Sequence, residues 1–145
     1  MTLRRILAAL ALACVLSACG SGPVKRISPS TVAIQELVVK PDGQWRATLR
    51  VQNFSTMSMH YDALHANVRI AGTDVGEIEL KPDLDIPGNS ADVVDATLHA
   101  TAKLPAGDIE YQIKGTIETS EPKANFKFDR TSRLSPAPGL AGTYR

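Results

Sequence analysis

The sequence predicts an all-β domain: seven short antiparallel strands in two sheets packed face to face. Two observations carry this. Apolar and polar residues alternate with period two in one run after another, as in strands that bury one face. Turn-forming residues fill the gaps between the runs. A third observation is negative, because no amphipathic helical pattern occurs after residue 30.

The runs follow in order. Val32–Lys40 is the first and is less regular. Lys40-Pro41-Asp42-Gly43 then has Pro at i+1 and Gly at i+3, a type I turn signature. Gln44–Asn53 is the clearest strand, with Trp45, Ala47, Leu49 and Val51 on one face and Gln44, Arg46, Thr48, Arg50 and Gln52 on the other. Leu64, Ala66, Val68 and Ile70 alternate with His65, Asn67 and Arg69, and Gly72-Thr73-Asp74 punctuates their end. Val75–Leu80 is a second irregular run. Ile86-Pro87-Gly88-Asn89 reads as a type II turn with Pro87 and Gly88 central. Ala91–Leu98 follows, with Val94, Ala96 and Leu98 inward. Pro105-Ala106-Gly107-Asp108 leads into Asp108–Glu118, where Ile109, Tyr111, Ile113 and Ile117 point in. Glu121-Pro122-Lys123 closes the last hairpin, and Ala124, Phe126 and Phe128 face inward on the final run.

Composition bounds the function. The chain has 145 residues, with 16 Lys+Arg against 15 Asp+Glu. So balanced a charge leaves no cationic excess to displace counterions from a polyanion, and no nucleic-acid partner is expected. With 43% hydrophobic and 21% charged residues the chain is of globular type. Both cysteines, Cys14 and Cys19, lie in the first twenty positions, so the predicted domain has no disulfide framework and no multi-cysteine zinc site.

Those first residues read as an export signal. Arg4 and Arg5 precede an uncharged apolar run from Ile6 to Leu16, followed by Ser17, Ala18 and Cys19. As a helix the run would reach about 16 Å, short of a hydrocarbon core of about 30 Å. Leu16-Ser17-Ala18-Cys19-Gly20 resembles the lipobox of bacterial lipoproteins. The resemblance implies cleavage between Ala18 and Cys19, a diacylglycerol thioether on Cys19, and acylation of the new amine, for which palmitate is a usual source. Two or three acyl chains hold a protein on a bilayer, whereas one binds marginally. Gly20 is not the Asp that often retains lipoproteins at the inner membrane, so in a bacterium with two membranes the periplasmic face of the outer membrane is expected. Loss of residues 1–18 leaves fourteen basic against fifteen acidic residues, so the acyl chains must do the anchoring.

Four segments follow: a signal peptide at 1–18, the lipidated Cys19 with a flexible Gly/Ser/Pro-rich tether at 19–30, the β domain at 31–134, and an irregular, fraying tail at 135–145. Gly20–Ser30 would span at most about 36 Å, and about 17–20 Å as a flexible coil. Lys25 and Arg26 within it could touch lipid headgroups, though two such charges are more often just solvated.

Leu49-Arg50-Val51-Gln52-Asn53-Phe54-Ser55, Met57, Tyr61, the run Leu64–Ile70, Gly72 and Gly76, then Ile86-Pro87-Gly88-Asn89-Ser90 before Ala91–Leu98, resemble the late embryogenesis abundant group-two domain, also called the water stress and hypersensitive response (WHy) domain. The resemblance covers about residues 31–130 and rests on order and spacing. Phe54 departs from it, standing where that pattern has Pro after Asn. The resemblance implies a seven-stranded sandwich of fibronectin type III/immunoglobulin-like shape, a structural role for Asn53, Tyr61, Gly72 and Pro87, no enzymatic activity, no cofactor, and a part in desiccation or water-stress tolerance.

Motifs for chemistry are sparse. His60 and His65, five apart, fall on opposite faces if one strand holds both, and His99 stands alone; none has zinc-ligand spacing. Asp83-Leu84-Asp85-Ile86-Pro87-Gly88 begins like a calcium loop, but Pro87 stands at position 5 and Val94 at position 12, so it reads as a solvated acidic turn. Asn53 reads as a loop-bracing residue. The expectation is a non-catalytic, lipid-anchored envelope protein, monomeric, holding the membrane through Cys19 and meeting a protein or lipid partner. The alternative is a carrier of a lipid or other apolar ligand near the membrane.

Overall fold

The computed structural model describes residues 22–145. Among them nine strands and no helix form: β1 (Thr31–Val38), β2 (Gln44–Gln52), β3 (Met59–Ile70), β4 (Thr73–Leu80), β5 (Leu84–Ile86), β6 (Ala91–His99), β7 (Ile109–Glu121), β8 (Lys123–Leu134) and β9 (Thr143–Tyr144). One antiparallel sheet has the order β6-β2-β1-β9, and the other has β4-β3-β7-β8 with β5 also paired to β3. The seven expected runs are all strands. β5 and β9 bring the number to nine, and at three and two residues they are too short to show a period.

The alternating runs supply the core. Trp45, Ala47, Leu49 and Val51 of β2 are buried, and so are Ile109, Tyr111, Ile113 and Ile117 of β7. They join Tyr61, Leu64, Val68 and Ile70 of β3 in one apolar cluster between the sheets. Each large side chain taken out of water there contributes about 1.5–3 kcal/mol.

Irregular runs have a common cause, which is a residue inserted in the ladder. The β1–β2 register slips between Ile34 and Glu36, so Ile34 and Leu37 are both buried although they are three apart. The β3–β4 register slips at Val68/Arg69, opposite Val75. The β3–β7 register slips on either side of Tyr61, with Ser120 the extra residue of β7 before it and Asp62 the extra residue of β3 after it, and Tyr61 and Leu64 are both buried. Each bulge moves the following side chains to the other face. That corrects the expectation for His60 and His65. One strand does hold both, but the bulge between them sets both on its outer face.

The tail also differs from the fraying stretch expected. Ser135 and Arg145 exchange backbone hydrogen bonds of 2.7 and 2.9 Å, and β9 pairs with Leu37 and Val38 of β1. The chain thus leaves the edge of one sheet and covers part of the edge of the other. Gly142 permits the return: its φ is +72°, and a Cβ there would stand 2.5 Å from the Val39 carbonyl oxygen.

Candidate functional site

The β1–β2 hairpin gives the sandwich two unlike ends. Thr31 and Gln52 pair at the end where the chain enters, and Val38 and Arg46 pair at the other. β1's eight residues separate the ends by about 25 Å.

The entry end is organised by Asn53. It is fully buried, and its side-chain amide donates to the carbonyls of Met57 (2.9 Å), Ile86 (3.0 Å) and Pro87 (3.2 Å). Its Oδ1 accepts from the Ser55 N–H at 2.8 Å. One side chain therefore ties the loop after β2 to the exit of β5. The turn lies one residue later than expected: the Ser90 N–H bonds the Pro87 carbonyl, so Gly88 and Asn89 are its central residues, and the positive φ of 56° that a type II turn needs falls at Asn89 rather than Gly88. Gly88 is needed for space, since a Cβ there would lie 2.6 Å from the Thr56 backbone.

The same loop grips the segment before β1. The Arg26 N–H donates to Thr56 Oγ1 (2.8 Å), Thr56 Oγ1–H donates to the Val24 carbonyl (2.7 Å), and the Thr56 N–H donates to the Arg26 carbonyl (3.0 Å). The Ser28 N–H reaches Ser55 Oγ at 3.0 Å. Buried Ser30 shares a 2.6 Å hydrogen bond with the Tyr61 hydroxyl, which links the start of β1 to the opposite sheet. Burial pushes the Tyr61 phenol above its usual range, against the pull of the Ser30 bond. The stretch expected to be a free tether is therefore held against the domain from Val24 onward, because the Ser and Thr side chains satisfy its backbone.

Gly72 sits at the far end in the β3–β4 turn, where Ala71 and Gly72 both have positive φ (48° and 78°), the geometry of a two-residue type I′ hairpin. His60 lies at the entry end among carboxylates. Its Nδ1 is 2.8 Å from Asp85, and its Nε2 is 3.2 Å from Asp62 and 3.4 Å from Asp83. The Asp85 hydrogen bond and the three negative charges raise its pKa above the ordinary value, against a smaller desolvation effect. The stretch read as a solvated acidic turn is thus in part β5, pairing with Met59–Tyr61 and turning Asp85 to His60. His65 meets Glu79 at 3.3 Å, and His99 is exposed. No group of three His, Cys, Asp or Glu side chains is placed to hold a metal ion among the described residues.

At the far end a groove of about 580 Å3 opens between the β1–β2 turn, the segment after β6 and the returning tail. Trp45, Leu104 and Tyr144 supply apolar walls, and Lys40, Asp42 and Lys103 are among its charged lining. Neither Ser30, Ser55 and Thr56 nor this groove is visible to sequence reasoning. Single Ser and Thr residues in a turn carry no signal of a partner some thirty positions away. Leu16, Ser17, Ala18 and Cys19 lie outside the described residues.

No protein-family model matches the chain, and no curated protein matches it. Solved structures do. A solution structure of AT1g01470 from Arabidopsis thaliana is similar at TM-score 0.50 with 11% identity, over 88% of this chain and 97% of that one. A crystal structure from Bordetella pertussis, of a protein designated ApaA, gives 0.49 with 15% identity over 81% of this chain and 100% of that one. A solution structure of At2g46140.1, provisionally described as a late embryogenesis abundant protein, gives 0.44 with 15% identity over 93% and 84%. At such identities the likeness to the first is one of fold alone.

Proposed function

We propose that this chain is a lipid-anchored, non-catalytic interaction module of the bacterial cell envelope, held by acyl chains on Cys19 and acting in tolerance of water stress. One observation carries the reading. The segment that leads from the lipobox-like Leu16–Cys19 docks at one end of the sandwich, and the groove of about 580 Å3 opens at the other. A protein anchored through Cys19 would present that groove away from the bilayer. The residue pattern around Asn53, Tyr61, Gly72 and Pro87 supports a late embryogenesis abundant group-two (WHy) type of domain. The order β6-β2-β1 against β4-β3-β7-β8 supports a fibronectin type III-like sandwich. The lipobox and Gly20 support the outer membrane, periplasmic side, where two membranes exist.

The test is labelling and loss of function together. Radiolabelled palmitate is expected to enter the wild-type protein and not Cys19→Ala. A strain lacking the protein is expected to lose viability on drying, with rescue by the wild type only. Labelled protein whose loss leaves survival unchanged overturns the stress role and leaves the anchor standing. The walls of Trp45, Leu104 and Tyr144 favour a second reading, an apolar-ligand carrier. Lipid extracted in fixed proportion from the purified domain would select it.

A further inference from the structure

We infer that the entry end of the sandwich is a bilayer-contacting face, with Val24, Ile27 and Phe54 entering the headgroup region and Lys25 and Arg26 pairing with anionic lipid. This rests on the lipid anchor at Cys19 and adds to it a fixed orientation of the domain.

Five large apolar side chains are exposed among the described residues: Val24 (78%), Ile27 (48%), Phe54 (46%), Val93 (44%) and Leu140 (49%). Three of the five belong to one place. Val24 to Ser28 run against Ser55 and Thr56, and Phe54 belongs to the same loop. Exposed apolar residues gathered in this way, with adjoining cations, mark a surface made for something other than water. The length of chain beyond it says what. A free tether from Cys19 to the domain would reach about 36 Å, but pinning at Val24 leaves five residue steps, or about 17 Å at full stretch. Acyl chains on Cys19 would hold Phe54 and Ile27 within reach of the interface whatever conformation the intervening residues take.

Charge agrees with an asymmetric contact. Lys25 and Arg26 stand within the apolar trio and are both exposed. Of the acids at this end, Asp62, Asp83 and Asp85 gather on His60 at the outer face of the second sheet, Glu121 lies opposite His60 on β7, and Asp92 lies on β6 of the first sheet. A bilayer carrying negative lipid would meet the Lys25–Arg26 side and leave the carboxylates in water. The pinned segment is ordered before it meets lipid, so contact costs little further conformational entropy.

The test uses the full chain expressed in a bacterium that processes lipoproteins, with palmitate label read on the same samples. Phe54→Trp and Leu140→Trp are made separately; both sites are exposed, and native Trp45 is buried and common to both. Each protein is placed in vesicles of phosphatidylethanolamine and phosphatidylglycerol carrying brominated acyl chains. Bromine is expected to quench Phe54→Trp by about half and Leu140→Trp not at all, as for a side chain a few ångströms into the interface. Replacing phosphatidylglycerol by phosphatidylcholine is expected to weaken that quenching. Labelled protein with equal quenching at both positions overturns the proposal and leaves the anchor intact. Absence of label overturns the anchor, and the proposal falls with it.

Discussion

The two ends of this sandwich are built from different interactions. At the entry end, buried side chains hold backbone: Asn53 binds three carbonyls and one N–H, and Ser30 binds Tyr61 across the sheets. At the far end, hairpin turns and the returning tail do the closing, and the side-chain contacts are on the surface. There Arg145 reaches Glu36 at 2.7 Å, and Arg46 reaches the same carboxylate at 3.7 Å. A buried polar bond is expensive to leave half made, whereas an exposed ion pair is nearly neutral. The entry end should therefore be rigid, which suits the place where the proposed anchor would emerge. The far end can change its surface at little cost to the fold, which suits a binding groove.

The largest effect that would break this contrast is at Asn53. Asn53→Ala strands the Met57, Ile86 and Pro87 carbonyls and the Ser55 N–H in a buried site. The expected loss is about 3 kcal/mol, read as a lower urea midpoint. A loss near zero would mean that water takes the place of the amide and that this end is not the rigid one. Next comes Tyr61→Phe, which keeps the ring and removes the hydroxyl. It should cost about 1–2 kcal/mol, and a cycle with Ser30→Ala should show a coupling of about 1 kcal/mol. If the two losses simply add, the bond does not join the sheets.

A smaller effect is expected at the far end. Gly142→Ala puts a Cβ against the Val39 carbonyl at a φ of +72°. It should cost about 1 kcal/mol, because only the tail has to let go. Amide exchange at Val39, which donates to the Gly142 carbonyl, should speed up while that at Asn53 does not. Faster exchange at both would show that the ends are coupled and the contrast is false.

How much of this was legible depends on where the period-two pattern survives. β2 and the Ile109–Thr119 part of β7 alternate without interruption, and their buried residues read directly from the sequence. β1, β3 and β4 each carry an inserted residue, at Gln35, Asp62 and Val75, and a parity change looks like noise in one dimension. For this reason β3 begins five residues before the expected start at Leu64. The second half of β8, Arg130–Arg133, has no apolar alternation, and Arg130, Thr131 and Arg133 are exposed there. At the entry end Asn53, Tyr61 and Pro87 stood out as residues, but what they touch did not. Ser30 and Tyr61 are 31 positions apart, and Asn53 and Ile86 are 33 apart. Such partners are chosen by the packing of the two sheets, and nothing local in the chain announces them.

The smallest effect concerns pH, and it asks whether the rigid end has a weak point. His60 on β3 faces Asp85 of β5, Asp83 in the turn before it, and Asp62 of its own strand, and it lies opposite Glu121 of β7 in the ladder. Its folded pKa is raised, so the folded state binds the proton more tightly than the unfolded chain. The stabilisation is complete below the unfolded value of about 6.5 and fades as pH rises through the raised folded value. Wild type should therefore exceed His60→Gln in stability at mildly acid pH, and the two should converge as the solution becomes alkaline. Salt should shrink the difference, because the aspartates are largely exposed. A difference that grows with pH would mean that neutral His60 is the favoured form in the fold.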